Sequence, residues 1–109
     1  MTKYQNILVE RDYEDKIYII TINRESHANA VDRSTAEELA DAFREFEKDD
    51  KAYIAILTGK GKHFCSGADL KALSKSKDSK EASIKSNRLE FGGDGPMGPS
   101  RMLLSKPVI

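Results

Sequence analysis

The sequence predicts an α/β fold, and three segments predict it. Lys16-Ile17-Tyr18-Ile19-Ile20-Thr21-Ile22 is β-branched and aromatic, the composition of a strand. After Ser34, the apolar residues Ala36, Leu39, Ala40, Phe43 and Phe46 recur at helical spacing. Tyr53-Ile54-Ala55-Ile56-Leu57-Thr58 is a short apolar run closed by Gly59, the pattern of a buried strand. Strand, helix and strand in this order form a crossover unit, for which a right-handed path is expected.

The elements follow in order. Ile7-Leu8-Val9 opens an apolar run that passes into a charged stretch, Glu10 to Lys16. With Tyr13, Glu14 and Asp15 as the turn, this run and the 16–22 strand are expected to pair as an antiparallel hairpin. Asn23 to Val31 is a polar loop. Ser34-Thr35-Ala36-Glu37 has the form of a capping box, in which the serine hydroxyl and the glutamate carboxylate satisfy free amides at a helix start. Asp32 is the alternative cap. Glu37, Glu38, Asp41, Arg44, Glu45 and Lys48 fill the polar face, and the helix is expected to end near Asp49-Asp50. Gly59-Lys60-Gly61-Lys62 reads as a turn, and Ala68 to Leu73 as the start of a second helix. Lys71 to Arg88 is rich in Lys and Ser with little apolar periodicity, which predicts an exposed loop or a frayed helix. Gly92 to Pro99 holds too many breakers for regular structure. Ser100 to Ser105 is expected as a short helix, and Lys106-Pro107-Val108-Ile109 as the beginning of another strand. Because that strand stops as it starts, residues 1–109 are expected to be the N-terminal part of a longer domain.

Composition bounds the function. Hydrophobic residues make up 39% and charged residues 33%, and 18 basic residues balance 18 acidic ones. A net charge of zero provides no general attraction to nucleic acid or membrane, so any anion site must be local. A single cysteine, Cys65, excludes an intramolecular disulfide and fits a reducing compartment, so a cytoplasmic location is expected. Met1 to Arg11 lacks the basic and apolar regions of a secretory signal. No apolar run approaches the roughly 18–20 residues of a transmembrane helix.

The stretch with chemical content runs from Leu57 to Lys71. A buried strand passes through Gly59-x-Gly61 into Phe64-Cys65-Ser66-Gly67 and then a helix start at Ala68-Asp69. Amides at a helix start lack partners and carry partial positive charge, so they bind anions or a developing oxyanion. Gly67 permits close approach to the backbone. Lys71, one helical step on, is placed to meet a phosphate. The same residues also fit a plain strand-to-helix turn capped by Ser66 or Asp69, and physics alone does not separate the two.

Phe64-Cys65-Ser66-Gly67-Ala68-Asp69-Leu70 after Leu57-Thr58-Gly59-x-Gly61 resembles the first oxyanion-hole motif of the crotonase superfamily, the enoyl-CoA hydratase/isomerase family. Asn23-Arg24 followed by Asn29-Ala30 resembles its upstream CoA-binding loop, and Lys106-Pro107-Val108-Ile109 resembles the segment before its second oxyanion loop. Glu25 departs from the pattern, standing where the family has proline, and is expected to loosen that turn. The resemblance implies a partial crotonase spiral of ββα units. It implies an acyl-CoA thioester as substrate, with no separate cofactor. Hydration of a 2-enoyl-CoA is the first expectation and double-bond isomerisation the second. A non-catalytic piece that binds CoA or a protein is a reading from another class. The backbone amide of Ala68 would be one of two donors to the thioester oxygen. Ala68, Asp69, Leu70 and Lys71 would border CoA, with Lys71 near its phosphates. The backbone around His27 and Ala28 would lie near the adenine or pantetheine, and Arg24 is a further candidate for phosphate contact. The resemblance also implies a homotrimer or dimer of trimers. In the family, the second oxyanion amide and the catalytic carboxylates follow the Lys-Pro-Val-Ile segment. Glu90 and Asp94 match no family catalytic position and read as structural.

Other residues read more plainly. Cys65 lacks a histidine in a triad-like context and is expected as a small buried thiol. His27 and His63 stand without a carboxylate pattern for a metal. Lys75, Lys77, Lys80 and Lys85 fit a solvated loop. Gly59-x-Gly61 lacks the third glycine of a dinucleotide fingerprint.

Overall fold

A computed structural model describes residues 4–67, 97–99 and 102–109. Strand β1 (Ile7–Asp12), strand β2 (Ile17–Ile22), helix α1 (Arg33–Lys48) and strand β3 (Ile54–Gly59) follow in chain order, with a 3-10 turn at Glu25–His27. The sheet order is β1-β2-β3. β1 and β2 form the expected antiparallel hairpin, with Ile7 opposite Ile22 and Asp12 opposite Ile17. The strand runs past the apolar residues through Glu10, Arg11 and Asp12, because the ladder is made by backbone groups and this end of the edge strand is solvated. Tyr13, Glu14 and Asp15 turn the chain with positive φ values of 55°, 57° and 66°.

β2 and β3 are parallel, with Ile17 opposite Ile54 and Ile22 opposite Gly59. α1 connects them, as the strand-helix-strand pattern predicts. Its N-cap is Asp32, the alternative the sequence left open: the carboxylate accepts from the Thr35 amide at 2.9 Å. Ser34 lies one residue inside the helix and accepts from Asn6 Nδ2 at 3.3 Å, while Glu37 pairs with Arg33 Nε at 3.4 Å. The capping box is therefore not formed. An extended Asp32 (φ −91°, ψ −178°) already places a carboxylate on the third helical amide.

The apolar stripe of α1 packs on one face of the sheet. Ala36, Leu39, Ala42, Phe43 and Phe46 are buried against Ile7, Tyr18, Ile20, Ile22 and Ala55, and Ala40 is buried as well. Each large side chain buried this way stabilises the fold by about 1.5–3 kcal/mol. Tyr18, Ile20 and Ile22 point into this core in the period of two that β2 imposes. At the other end, Glu38 accepts from the amides of Gln5 (3.0 Å) and Asn6 (2.9 Å), tying the N-terminal approach to the helix.

The last residues lie along β3. Ala55 N–H donates to Pro107 O at 3.2 Å, Ile109 N–H to Ala55 O at 2.9 Å, and Leu57 N–H to Ile109 O at 2.8 Å. A single parallel bridge thus pairs Val108 with Ala55 of β3. The helix expected over Ser100–Ser105 is not formed at Met102–Leu104. Met102 and Leu104 are half-buried against the core while Leu103 between them is 99% exposed, an extended alternation that a helix would break, and Ser105 is drawn to the Glu47 carboxylate (Oγ to Oε2, 2.8 Å). The helix expected from Ala68 and the Lys71–Arg88 segment lie outside the described residues.

Candidate active site

Two loops build the site, and the parallel register puts them side by side. Ile22 and Gly59 are paired at the ends of β2 and β3, so the chain leaves both strands at the same sheet end. That end is where α/β sheets place their ligands. One loop is 23–31 and the other 60–67.

Asn29 holds the two together. It is 1% exposed, with a left-handed φ of 56°. Its Oδ1 accepts from the Arg24 amide at 2.9 Å, and its Nδ2 donates to the carbonyls of Lys60 (2.9 Å) and His63 (2.5 Å). Two residues on, the Val31 amide donates to Gly67 O at 2.8 Å. Gly59 is required by this closeness: a Cβ there would lie 2.8 Å from Asn29 Nδ2 and against the carbonyls of His63 and Phe64. Gly67 is required for another reason. Among the described residues nothing lies within 4 Å of where its Cβ would be, but its φ is +110°, which L side chains rarely adopt. The Gly67 amide donates to Cys65 Sγ at 3.4 Å.

The residues implied by the motifs fall in distinct places. Arg24 turns inward: its side chain is 10% exposed, Nη1 donates to Ala30 O, and Nη2 lies 3.6 Å from Asp32 Oδ2. It braces the loop against the N-cap of α1. His27 is exposed at the end of the 3-10 turn, with Nδ1 3.0 Å from Ser26 Oγ. Ala28 is half-buried with φ 51°. The turn that Glu25 opens is closed by the Ala28 N–H, which donates to Glu25 O at 3.0 Å. Ala68, Asp69, Leu70 and Lys71 lie outside the described residues.

The 60–67 loop lines two cavities. A polar one of about 330 Å³ is walled by Glu25, Ala28, Asn29, Lys60, Gly61, Lys62 and His63. An apolar one of about 360 Å³ lies on the α1 side, walled by Val31, Leu39, Phe43, Leu57, Phe64 and Cys65 among others. His63 borders the first and its neighbours Phe64 and Cys65 the second. The Cys65 thiol is half-buried in this wall, not fully enclosed as the sequence suggested, because the cavity leaves one side open. Lys60 and Lys62 were legible only as turn residues. Their alternation around two glycines was the available signal for a local cationic site.

The family description "Enoyl-CoA hydratase/isomerase" matches residues 12–91, and the chain belongs to this family. It is 37% identical over 71 residues to a probable peroxisomal enoyl-CoA hydratase of Arabidopsis thaliana, covering 65% of this chain and 27% of that protein. Among solved structures it is similar to the enoyl-CoA hydratase EchA1 of Mycobacterium marinum, with 34% identity, a TM-score of 0.74, and coverage of 94% of this chain and 36% of that one. Similarity to the carnitinyl-CoA hydratase of Mycobacterium avium is comparable: 32% identity, TM-score 0.74, covering 97% of this chain and 38% of that one. The fold is the crotonase spiral in part, and the chain spans 27% of the length of the first curated relative.

Proposed function

We propose that these residues form the N-terminal, CoA-facing part of an enzyme that adds water across the 2,3 double bond of an enoyl-CoA. The observation that carries this is that one loop, 60–67, lines both a lysine-bearing polar cavity and an apolar cavity. An acyl-CoA has the same two halves, an anionic nucleotide and an apolar acyl chain. Lys60 and Lys62 suit the phosphates, together with Lys71 as the motif implies. The loop between the cavities carries Gly67 toward Ala68, whose amide the motif assigns to the thioester oxygen. Such a donor aimed at the developing enolate charge contributes on the order of 3–4 kcal/mol. The motif also sets Asp69 and Leu70 at the border of CoA. The catalytic carboxylates and second donor belong, in this reading, to sequence after Ile109.

Hydration is favoured over isomerisation by the names of the relatives, among them the plant hydratase. Isomerisation has a specific basis in a peroxisomal Delta(3,5)-Delta(2,4)-dienoyl-CoA isomerase of Arabidopsis thaliana, 33% identical over 75 residues. The deciding assay offers the full chain crotonyl-CoA and, separately, a 3-enoyl-CoA. Loss of the conjugated enoyl absorbance with formation of 3-hydroxyacyl-CoA supports hydration. Appearance of that absorbance from the 3-enoyl thioester supports isomerisation, and neither, with CoA still bound, leaves the non-catalytic binding reading.

A further inference from the structure

We infer that Asn29 is a positioning residue for the oxyanion donor, acting through Val31 and Gly67. The inference deepens the proposed function and rests on it for the donor's role, while its structural half stands on the contacts alone. Within three residues, the 29–31 segment holds both ends of the 60–67 loop. The Asn29 side chain grips the carbonyls of Lys60 and His63, and the Val31 amide grips the carbonyl of Gly67 at 2.8 Å. A carbonyl and the amide that follows it share one plane and point in opposite directions in a trans peptide. Fixing the Gly67 carbonyl on Val31 therefore fixes the plane of the peptide that carries the expected donor.

Several features show that the grip is built. Asn29 is buried to 1% exposure, and all its described bonds are to main-chain groups. It holds a left-handed φ of 56°, a conformation asparagine tolerates better than most residues. Gly59 leaves room for its amide, and Arg24 closes the loop from behind by donating to Ala30 O. Among the described residues nothing packs beside the Gly67 Cα. Its orientation depends on its hydrogen bonds, to Val31 and to Cys65 Sγ.

The test uses Asn29→Asp, which sets a carboxylate against two carbonyls, and the milder Asn29→Ser. In the full chain, hydration by a folded variant is expected to fall about 10- to 100-fold in kcat while KM changes by less than about threefold. Acetoacetyl-CoA supplies a second readout, because its enolate places charge on the thioester oxygen. Its enolate absorbance in the bound state is expected to weaken, while butanoyl-CoA binds as before. Hydrogen exchange of the Val31 amide is expected to quicken about tenfold, with the Leu39 and Phe43 amides unchanged. A folded variant with wild-type kcat, or one in which Val31 exchange is unaltered, overturns the inference. If the wild-type chain hydrates nothing, the proposed function fails and the Val31 exchange result still decides the structural half. If neither variant folds, replacing the Val31 amide by an ester removes only the donor to Gly67, and unchanged turnover there overturns it equally.

Discussion

The hydroxyl of Tyr18, in the middle of the sheet, donates to Asp49 Oδ2 at 2.7 Å and so joins β2 to the C-terminal end of α1. The ring beneath it packs on Phe46 at a centroid distance of 5.4 Å. Burial, then the bond to Asp49, pushes the phenol up to about 12, against the opposing pull of Arg11. In the unfolded chain a tyrosine ionises near about 10, below the folded value. Its contribution is therefore complete below about pH 10 and is lost as pH rises through about 12. Asp49 is lowered by the same bond and by the Lys51 amide, so its share is present above the ordinary carboxylate range and is lost as pH falls through its folded value. Urea midpoints across this alkaline range should decline more steeply for the wild type than for Tyr18→Phe. Parallel curves would show that the bond does not set the pH dependence.

Helix capping separates two residues the sequence left in competition. Asp32 accepts from both the amide and the hydroxyl of Thr35, at 2.9 and 2.6 Å. Asp32→Ala should cost about 1–2 kcal/mol in denaturant unfolding and Asp32→Asn much less. Ser34→Ala should stay within about 0.5 kcal/mol. An equal loss at Ser34 would restore the capping box.

The far end of α1 is closed from outside the helix. Lys106 Nζ donates to the carbonyls of Phe46 (2.8 Å) and Asp49 (2.6 Å) and lies 5.1 Å from the Phe46 ring centroid. Lys106→Met keeps much of the packing and removes the charge and both bonds, for an expected loss of about 1–2 kcal/mol. Phe46→Ala removes a fully buried ring and should cost about 3–5 kcal/mol. Thermal or urea unfolding measures both, and a Lys106→Met variant as stable as wild type would mean the carbonyls are served as well by water.

The two site glycines should fail differently. Gly67→Ala meets no neighbour among the described residues, so its cost is conformational, about 1–3 kcal/mol for a non-glycine residue at φ +110°. Gly59→Ala drives a methyl into the His63 and Phe64 carbonyls and toward Asn29 Nδ2, and should be the more damaging of the two to stability. Equal melting temperatures would argue that the 60–67 loop shifts freely to accept the methyl.

Lys62 belongs to the wall of the polar cavity, beside Lys60 and His63. Lys62→Glu should weaken CoA binding on the order of tenfold at low salt, with the difference shrinking as salt rises. Calorimetric titration at two ionic strengths checks it. Unchanged affinity at low salt would move the phosphates away from this cavity.

What the sequence determined by itself was periodic or compositional. The 3.6-residue stripe from Ala36 to Phe46 and the β-branched run from Ile17 to Ile22 each bury a defined face, so local pattern suffices to assign them. The 64–70 motif determined the family, because glycines and small residues at fixed spacing reflect backbone needs that few folds share. The tertiary structure alone decided the rest. It chose Asp32 over Ser34 as cap, since only the path of the incoming chain puts one oxygen on the Thr35 amide. It turned Arg24 inward, because a guanidinium will satisfy the nearest carbonyl and carboxylate that the loop presents. It joined Asn29 to Lys60 and His63, about thirty residues distant, through the parallel register of β2 and β3. Hydrogen bonds between segments distant in sequence leave no periodic trace, so they become visible only when the strands that carry them are paired.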